Sequence, residues 1–308
     1  LLAYVSAWLK RHHPSAFYVG LLNSQPMGFY TPSQLIQDAR RHGVPILPAD
    51  VNHSGWDHQL LDDGRRGAHA PIRLGLRLIK GLPRDAALRL EEARRSAPFR
   101  QISDLRKRAT LDKGSLEALV DADALASLSG NRHQARWQAM ALEPSRPLLE
   151  HEARSPGNTL DDAVQLPAPS VAESVLTDYQ STGLTLRAHP LALLRDRPPF
   201  IRCKRQRDLE ELGDGRFVRI AGLVTCRQRP GTASGVVFLT LEDETGNNNV
   251  VVWPTIQQNF RQALLKGRLL VVKGTLQKKD GVTHVVAGAL YDHSDALGEL
   301  RLKPRSFR

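Results

Sequence analysis

Gly215-Arg-Phe-Val-Arg-Ile-Ala-Gly-Leu-Val-Thr225 reads as a strand, and a Gly/Pro loop separates it from Val236-Val-Phe-Leu-Thr-Leu-Glu-Asp-Glu-Thr-Gly246. Asn249-Val-Val-Val-Trp253 follows, then a helix that Gly267 ends. Leu269-Leu-Val-Val-Lys273, a Lys-Lys-Asp-Gly turn and Thr283 to Leu290 complete the series. Strand, strand, strand, helix, strand, strand is the order of an OB barrel. The face of its second and third strands, with the flanking loops, commonly binds oligonucleotides. In the helix, Ile256, Phe260, Ala263 and Leu264 recur on one face, so it is predicted to close one end of the barrel.

Side chains alternate along a strand. If Val237, Leu239 and Leu241 face the core, then Val236, Phe238 and Thr240 face outward. Asn249, Val251 and Trp253 share one face of the third strand. Phe238 is thus an aromatic on the expected ligand face. Arg219, Arg227 and Arg229 are placed near it by the first strand and its loop, and Lys278 and Lys279 occupy the last hairpin. An aromatic to stack a base, with cations for the backbone, is what a single-strand binder uses. The alternative is that Phe238 packs against a neighbouring domain. Trp253 reads as a core or helix-packing residue.

The 308 residues carry 43 Lys plus Arg against 32 Asp plus Glu, a net charge of +11. Residues 1–148 are net +7, residues 149–197 net −3 and residues 198–308 net +7. Two basic bodies joined by an acidic, Pro-containing connector suit a polyanionic partner. Cys203 and Cys226 are the only cysteines, too few and too far apart for a zinc motif, and they read as reduced thiols of a cytoplasmic protein. No apolar run reaches membrane-spanning length, and no signal peptide is evident. The chain starts at Leu1 within an apolar helical pattern, which reads as a piece cut through a helix.

Upstream of the barrel the pattern is helical. Leu1, Tyr4, Val5, Trp8 and Leu9 recur at helical spacing, and Pro14 breaks or restarts the helix. Thr31-Pro32-Ser33-Gln34 has the form of a capping box with Pro in the first turn, and Gly43 suits a left-handed cap. Val44 to Asn52, with two prolines, is predicted to be extended. Leu74 to Pro83 running into Asp85 to Arg95 has the outline of a helix–hairpin–helix, with Lys80 and Gly81 in the hairpin. Backbone N–H groups at such a hairpin can hold a DNA phosphate, or the hairpin can serve packing alone. Phe99 to Leu128 repeats the outline, with a turn expected at Asp121-Ala-Asp-Ala124, and reads as structural. Residues 149–175 read as a linker.

No catalytic constellation emerges. Two-metal nucleotidyl transfer needs clustered carboxylates, whereas Asp62-Asp63 and Asp161-Asp162 lie in a turn and in the linker. There is no phosphate-cradling GxxxxGK[ST] motif, and His12-His13 lacks acid partners. Catalytic and metal residues are therefore expected to be absent from this chain.

Several stretches together carry a resemblance. They are Tyr4-Val-Ser-Ala-Trp-Leu-Lys-Arg-His-His-Pro14, Leu22-Asn-Ser-Gln-Pro-Met-Gly-Phe-Tyr30, Asp38-Ala-Arg-Arg-His-Gly43 and Asp50-Val-Asn-His-Ser54. Leu74-Gly-Leu-Arg-Leu-Ile-Lys-Gly81, Asp178-Tyr-Gln-Ser-Thr-Gly-Leu-Thr-Leu186 with His189-Pro190, and Phe238 to Gly246 continue it. The chain resembles the C-terminal part of bacterial error-prone DNA polymerases, the DnaE-like (ImuC-type) branch of the C family related to the DNA polymerase III alpha subunit.

The resemblance implies an α+β multidomain chain. Residues 1–73 would be the end of an all-α fingers region, 74–148 a helix–hairpin–helix module, 149–197 a linker and connecting segment, and 198–308 a five-stranded OB domain with its tail. It implies Mg2+-dependent, template-directed synthesis past lesions, with damage-induced mutagenesis. The metal-binding aspartates of the palm would lie upstream of Leu1, so this part would be inactive alone and bind no cofactor itself. The implied partners are DNA (primer-template and single-stranded template), a Y-family-like protein, a RecA-like accessory and, indirectly, the sliding clamp. Two departures stand out. Pro83 replaces the second Gly favoured in the hairpin, and Gln165-Leu166-Pro167 matches a clamp-binding peptide poorly. The rival readings are a stand-alone DNA-binding accessory protein without catalysis, and a protein-docking barrel with an incidental basic face.

Overall fold

The computed structural model describes residues 2–27, 30–61, 69–142, 165–231, 235–279, 281–298 and 305–307. The expected carboxylate pairs Asp62-Asp63 and Asp161-Asp162 lie outside the described residues. Contacts divide the chain into two units, Leu1–Leu186 and Arg187–Arg308.

The first unit opens with α1 (Leu2–His12), α2 (Pro14–Asn23) and α3 (Pro32–Arg41). Pro14 restarts the helix as its spacing predicts. At the head of α3 the Thr31 hydroxyl accepts from the Gln34 N–H at 3.2 Å, and the Gln34 side chain accepts from the Thr31 N–H at 2.9 Å. This is the capping box read from the sequence. Short strands β1 (Ile46–Leu47), β2 (Gln59–Leu60) and β3 (Ile72–Arg73) form a small sheet in the order β1-β3-β2. Tyr18, Leu22, Ile36, Ala39, Val44 and Ile72 are buried between these helices and strands.

The helical module continues with a 3-10 turn at Leu76–Leu78, then α4 (Arg84–Ser96), α5 (Ile102–Arg108), α6 (Lys113–Asp121), α7 (Ala126–Ser129) and α8 (Arg132–Ala141). Leu76, Leu82, Leu90, Phe99, Leu105, Leu119 and Leu125 form its core, and Val51 joins from upstream of residue 74. The first hairpin therefore has a single 3-10 turn where a helix was expected. Its turn does use Gly81 at φ +82°, a backbone that side chains other than Gly rarely adopt.

The second hairpin differs from the expected placement. Its turn joins α5 to α6 at residues 109–112, where Thr110 takes φ +48° and Asp112 caps α6 by accepting from the Ser115 N–H. Asp121 instead ends α6, and residues 122–124 follow it. The sequence misled because neither turn contains Gly.

Part of the expected linker is ordered. Helix α9 (Val171–Ser181) starts on Ser170, whose hydroxyl accepts from the Glu173 N–H. It is tied to α8 by a buried ion pair, Arg132 to Asp178 at 2.6 Å, with the side chains 4% and 9% exposed. The Thr185 hydroxyl donates to the other Asp178 oxygen at 2.7 Å. Residues 165–167 also lie along α8: Leu166 donates to Gln134 and accepts from Asn131, and the Pro167 carbonyl bonds His133.

The second unit contains the short helix α10 (Gln206–Glu210) and the barrel strands β4 (Phe217–Gln228), β5 (Val237–Glu242), β6 (Asn247–Val252), β7 (Leu269–Lys279) and β8 (Val282–Asp292). Helices α11 (Pro254–Asn259) and α12 (Arg261–Lys266) lie between β6 and β7, and β9 (Arg305–Phe307) pairs in parallel with the end of β4. Pairing runs β5-β6-β8-β7-β4, and β4 returns to β5, so the five strands close. Only β6 and β8 among them pair in parallel. This is the expected OB order.

Ile256, Phe260, Ala263 and Leu264 pack on the barrel core as their spacing predicts. Gly267 is not left-handed (φ −60°). A Cβ there would stand 2.3 Å from Leu270 and 2.6 Å from the Ala263 carbonyl oxygen, so close approach is what requires Gly.

The β5–β6 turn is locked by polar contacts. Buried Asp243 accepts from the Thr245, Gly246 and Gln206 N–H groups at 2.7–2.9 Å. Arg195 donates to both oxygens of Glu244, at 2.7 and 3.1 Å, and to the Cys203 carbonyl. Glu242-Asp-Glu-Thr-Gly246 thus fastens the segment ahead of the barrel to it.

Two outcomes are expected. Asp178→Ala leaves Arg132 buried without its counter-charge and lowers stability by about 3–5 kcal/mol, read by urea denaturation. Burial pushes His58 down to about 4 from its usual 6.5, and its Nδ1 accepts from the Gly75 N–H at 3.1 Å. The unfolded state then takes up a proton that the folded state refuses. The His58 contribution is whole above pH 6.5 and is lost as pH falls toward 4. Replacing His58 with Gln should shrink the difference in unfolding free energy between pH 7 and pH 5.

Candidate nucleic-acid interface

The face predicted to bind nucleic acid is built by β5 and β6. Val237, Leu239 and Leu241 point into the core, whereas Phe238 is 39% exposed and Thr240 half-buried between its neighbours. Phe238 pairs with Val251 and Thr240 with Asn249, so these four share the outer face. His284 in β8 is level with Asn249 and bonds Gln277 at 2.8 Å. Val236 departs from the expected alternation: it precedes β5 and is buried.

Trp253 corrects a second expectation. It is 51% exposed, not a core residue. It follows β6 directly and precedes Pro254 at the start of α11. It stands two places beyond Val251, the partner of Phe238. Two rings are therefore exposed at the same end of β5 and β6. The alternation Asn249, Val251, Trp253 was the signal for the second.

The cations are arranged differently from the expectation. Arg227 is 7% exposed. It donates to the Leu264 carbonyl at 2.7 Å and to the Gly267 carbonyl, capping the end of α12, where a cation is favoured by the unpaired carbonyls. Burial lowers its pKa. The cause of the misplacement is a register shift between Val224 and Cys226. Before it, Val218, Ile220 and Val224 face the core. After it, Arg227 lies opposite core-facing Leu239 and Gln228 opposite Phe238. One bulged residue moves every later side chain to the other face.

Arg219 pairs with Lys273 at the far end of β4, nine positions before Gln228, roughly 30 Å of strand. It is not beside Phe238. Arg229 is exposed and lines a groove of about 500 Å3 with Gln228, Val237, Pro254 and Gln257. In the β7–β8 hairpin, Lys279 is exposed, whereas the Lys278 ammonium donates to the Glu210 carbonyl at 2.7 Å. Of the predicted residues, Phe238, Thr240, Asn249, Arg229 and Lys279 remain available around the face.

In the helical module, Lys80 turns to α9. Its ammonium donates to the carbonyls of Tyr179 and Gln180 at 3.1 and 2.9 Å, and its N–H donates to Ser181. Gly81 is exposed in the hairpin. Pro83 precedes α4 without a side-chain cap, so the first N–H groups of α4 are free of one.

Among the described residues, no group of three or more His, Cys, Asp or Glu side chains could hold a metal ion. No described helix is long and apolar enough to cross a membrane.

Two family models match: a helix-hairpin-helix motif over residues 43–135 and an OB-fold nucleic acid binding domain over residues 218–292. The error-prone DNA polymerase of Saccharophagus degradans is 53% identical over 310 residues, covering 100% of this chain and 30% of its own length. That of Teredinibacter turnerae is 52% identical over 315 residues, with the same coverage. Over its whole length the chain is similar to error-prone DNA polymerases. It spans about 30% of the length of these curated relatives. Among solved structures, asparaginyl-tRNA synthetase from Pyrococcus horikoshii aligns at 29% identity over 25% of this chain and 20% of its own, with a TM-score of 0.23, too slight a likeness to bear on function.

Arg227 and Arg229 should separate cleanly. Arg227→Ala is expected to lower the thermal midpoint, because two helix-end carbonyls lose their donor. Arg229→Ala should leave the midpoint unchanged and reduce the salt dependence of oligonucleotide binding, measured by fluorescence anisotropy.

Proposed function

We propose that this chain is the DNA-holding, C-terminal portion of an error-prone DNA polymerase used in translesion synthesis and damage-induced mutagenesis. The observation that carries the reading is that two rings, Phe238 and Trp253, are exposed at the same end of β5 and β6, with Thr240, Asn249, Arg229 and Lys279 around the face. Rings stack successive bases without regard to sequence, and the cations meet the phosphates. The barrel steers unpaired template. The helical module holds primer-template through the Gly81 hairpin, where the N–H groups at the start of α4 face a phosphate. Lys80 positions α9 and does not take part.

The described side chains do not fit a divalent-ion site. Mg2+ would belong to a palm outside this chain, which acts by positioning and is inactive alone. The Y-family-like and RecA-like accessories and the clamp are partners of the whole polymerase in this reading, acting in the cytoplasm. Residues 165–167 bond the α8 side chains through their own backbone, which argues against a free clamp-binding peptide there.

Phe238→Ala and Trp253→Ala should each weaken binding of a labelled single-stranded oligonucleotide by ~1–3 kcal/mol, with little change in stability. Absence of binding by the unaltered chain at low salt would sink the proposal.

A further inference from the structure

The start of β4, remote from Phe238, carries a second cluster that the function above does not use. A groove of about 450 Å3 is lined by Arg202, Lys204, Arg216, Phe217 and Arg219, with Glu211 the one acid. Phe217 is 71% exposed and shares its strand face with Arg219. Lys204 is held beside Arg219 because its N–H donates to the Arg219 carbonyl at 2.7 Å. Buried Phe200 and Cys203 anchor the preceding turn, and buried Leu209 anchors the wall formed by the end of α10.

Among the described residues, these cations have no ion-pair partner. Arg219 lies directly opposite Lys273 in the antiparallel pair β4–β7, and like charges so placed repel. The Lys273 ammonium lies 4.8 Å above the Tyr291 ring, which attracts it without cancelling its charge. Among the described residues, none of Arg202, Lys204, Arg216, Arg219 and Lys273 has a carboxylate within 4.0 Å. A barrel that opposes two cations across a ladder and exposes a ring beside them has a surface suited to a polyanion with flat faces.

We propose that this groove is a second nucleic-acid site on the barrel. Arg202, Lys204, Arg216 and Arg219 grip the phosphodiester backbone, Lys273 adds charge, and Phe217 stacks a base. A nucleic-acid strand is favoured over an acidic peptide because the exposed ring gains from a base and gains little from a carboxylate side chain. The inference rests on the reading of the barrel as a nucleic-acid binder. It adds that a long strand touches both ends of β4, whereas a short one occupies the Phe238 face alone.

The test compares the 308-residue chain with its Lys204→Gln/Arg216→Gln/Arg219→Gln variant. Labelled oligonucleotides of about six and about twenty nucleotides bracket the site sizes of OB folds. For the long oligonucleotide the variant should bind about tenfold more weakly at low salt, and its slope of log affinity against log salt should fall by about two. The short oligonucleotide should bind both proteins alike. Phe217→Ala should weaken only the long one and leave the slope unchanged.

Amine-reactive labelling of the unaltered chain gives a readout independent of variant folding: Lys204 and Lys273 should be protected by the long oligonucleotide and not by the short one. Unchanged long-oligonucleotide binding by the variant, or no protection, overturns the proposal. So does a variant that keeps oligonucleotide binding and loses binding of a labelled polyglutamate peptide, which would assign the groove to an acidic protein. Failure of the unaltered chain to bind either oligonucleotide strikes instead at the Phe238 reading.

Discussion

A small barrel closes only if its first and last strands in the pairing order meet, and in this chain β4 makes that closure by pairing with β5. The first half of β4 pairs with β7 and its second half with β5, the two pairings meet at Leu223, and the bulge between Val224 and Cys226 follows at once. The bulge supplies the bend that closure needs. It also exchanges the inner and outer faces of the strand. The two exposed clusters on the barrel follow from this. Phe217 and Arg219 face outward before the bulge, and Gln228 faces outward beside Phe238 after it. Arg227, one step out of phase, becomes a helix cap.

The helical unit shows a related use of basic residues. Many of its cations bond backbone carbonyls. Lys80 caps α9, Arg94 bonds Val51 and Ser54, Arg77 bonds Asn23 and Gln25, and Arg89 reaches Ala109. A guanidinium at a helix end or loop satisfies carbonyls that have no other donor, at a favourable end of the helix dipole. The net charge of +11 therefore overstates the cation density open to a phosphate backbone. Location decides which cations are free, and the exposed ones around the barrel are a minority of the total.

Local rules read well where a few neighbouring residues decide the outcome. The Thr31–Gln34 capping box, the restart at Pro14, the left-handed Gly43 and the alternation of β5 depend on contacts within four residues. The order of barrel elements was legible because two periodicities, two and about 3.6, alternate along residues 215–292. Reading failed where the deciding contact is distant or where the usual marker residue is missing. Thr110 makes a left-handed turn without Gly, so the second hairpin was placed after α6 rather than before it. The Lys278 ammonium is claimed by the Glu210 carbonyl, 68 positions away. Trp253 read as a core or helix-packing residue, yet it is 51% exposed at the start of α11.

From the sequence alone came the family resemblance, the order of strands and helices, and the outward direction of Phe238, because periodicity and caps are local and the motifs that carry the resemblance are long. Tertiary structure decided which cations stay free. It also decided that Trp253 is exposed and that Arg219 belongs to a different surface. The physical reason is that strand register and barrel closure are set by pairing between residues far apart in the chain. A single bulged residue then reassigns the side of every residue that follows.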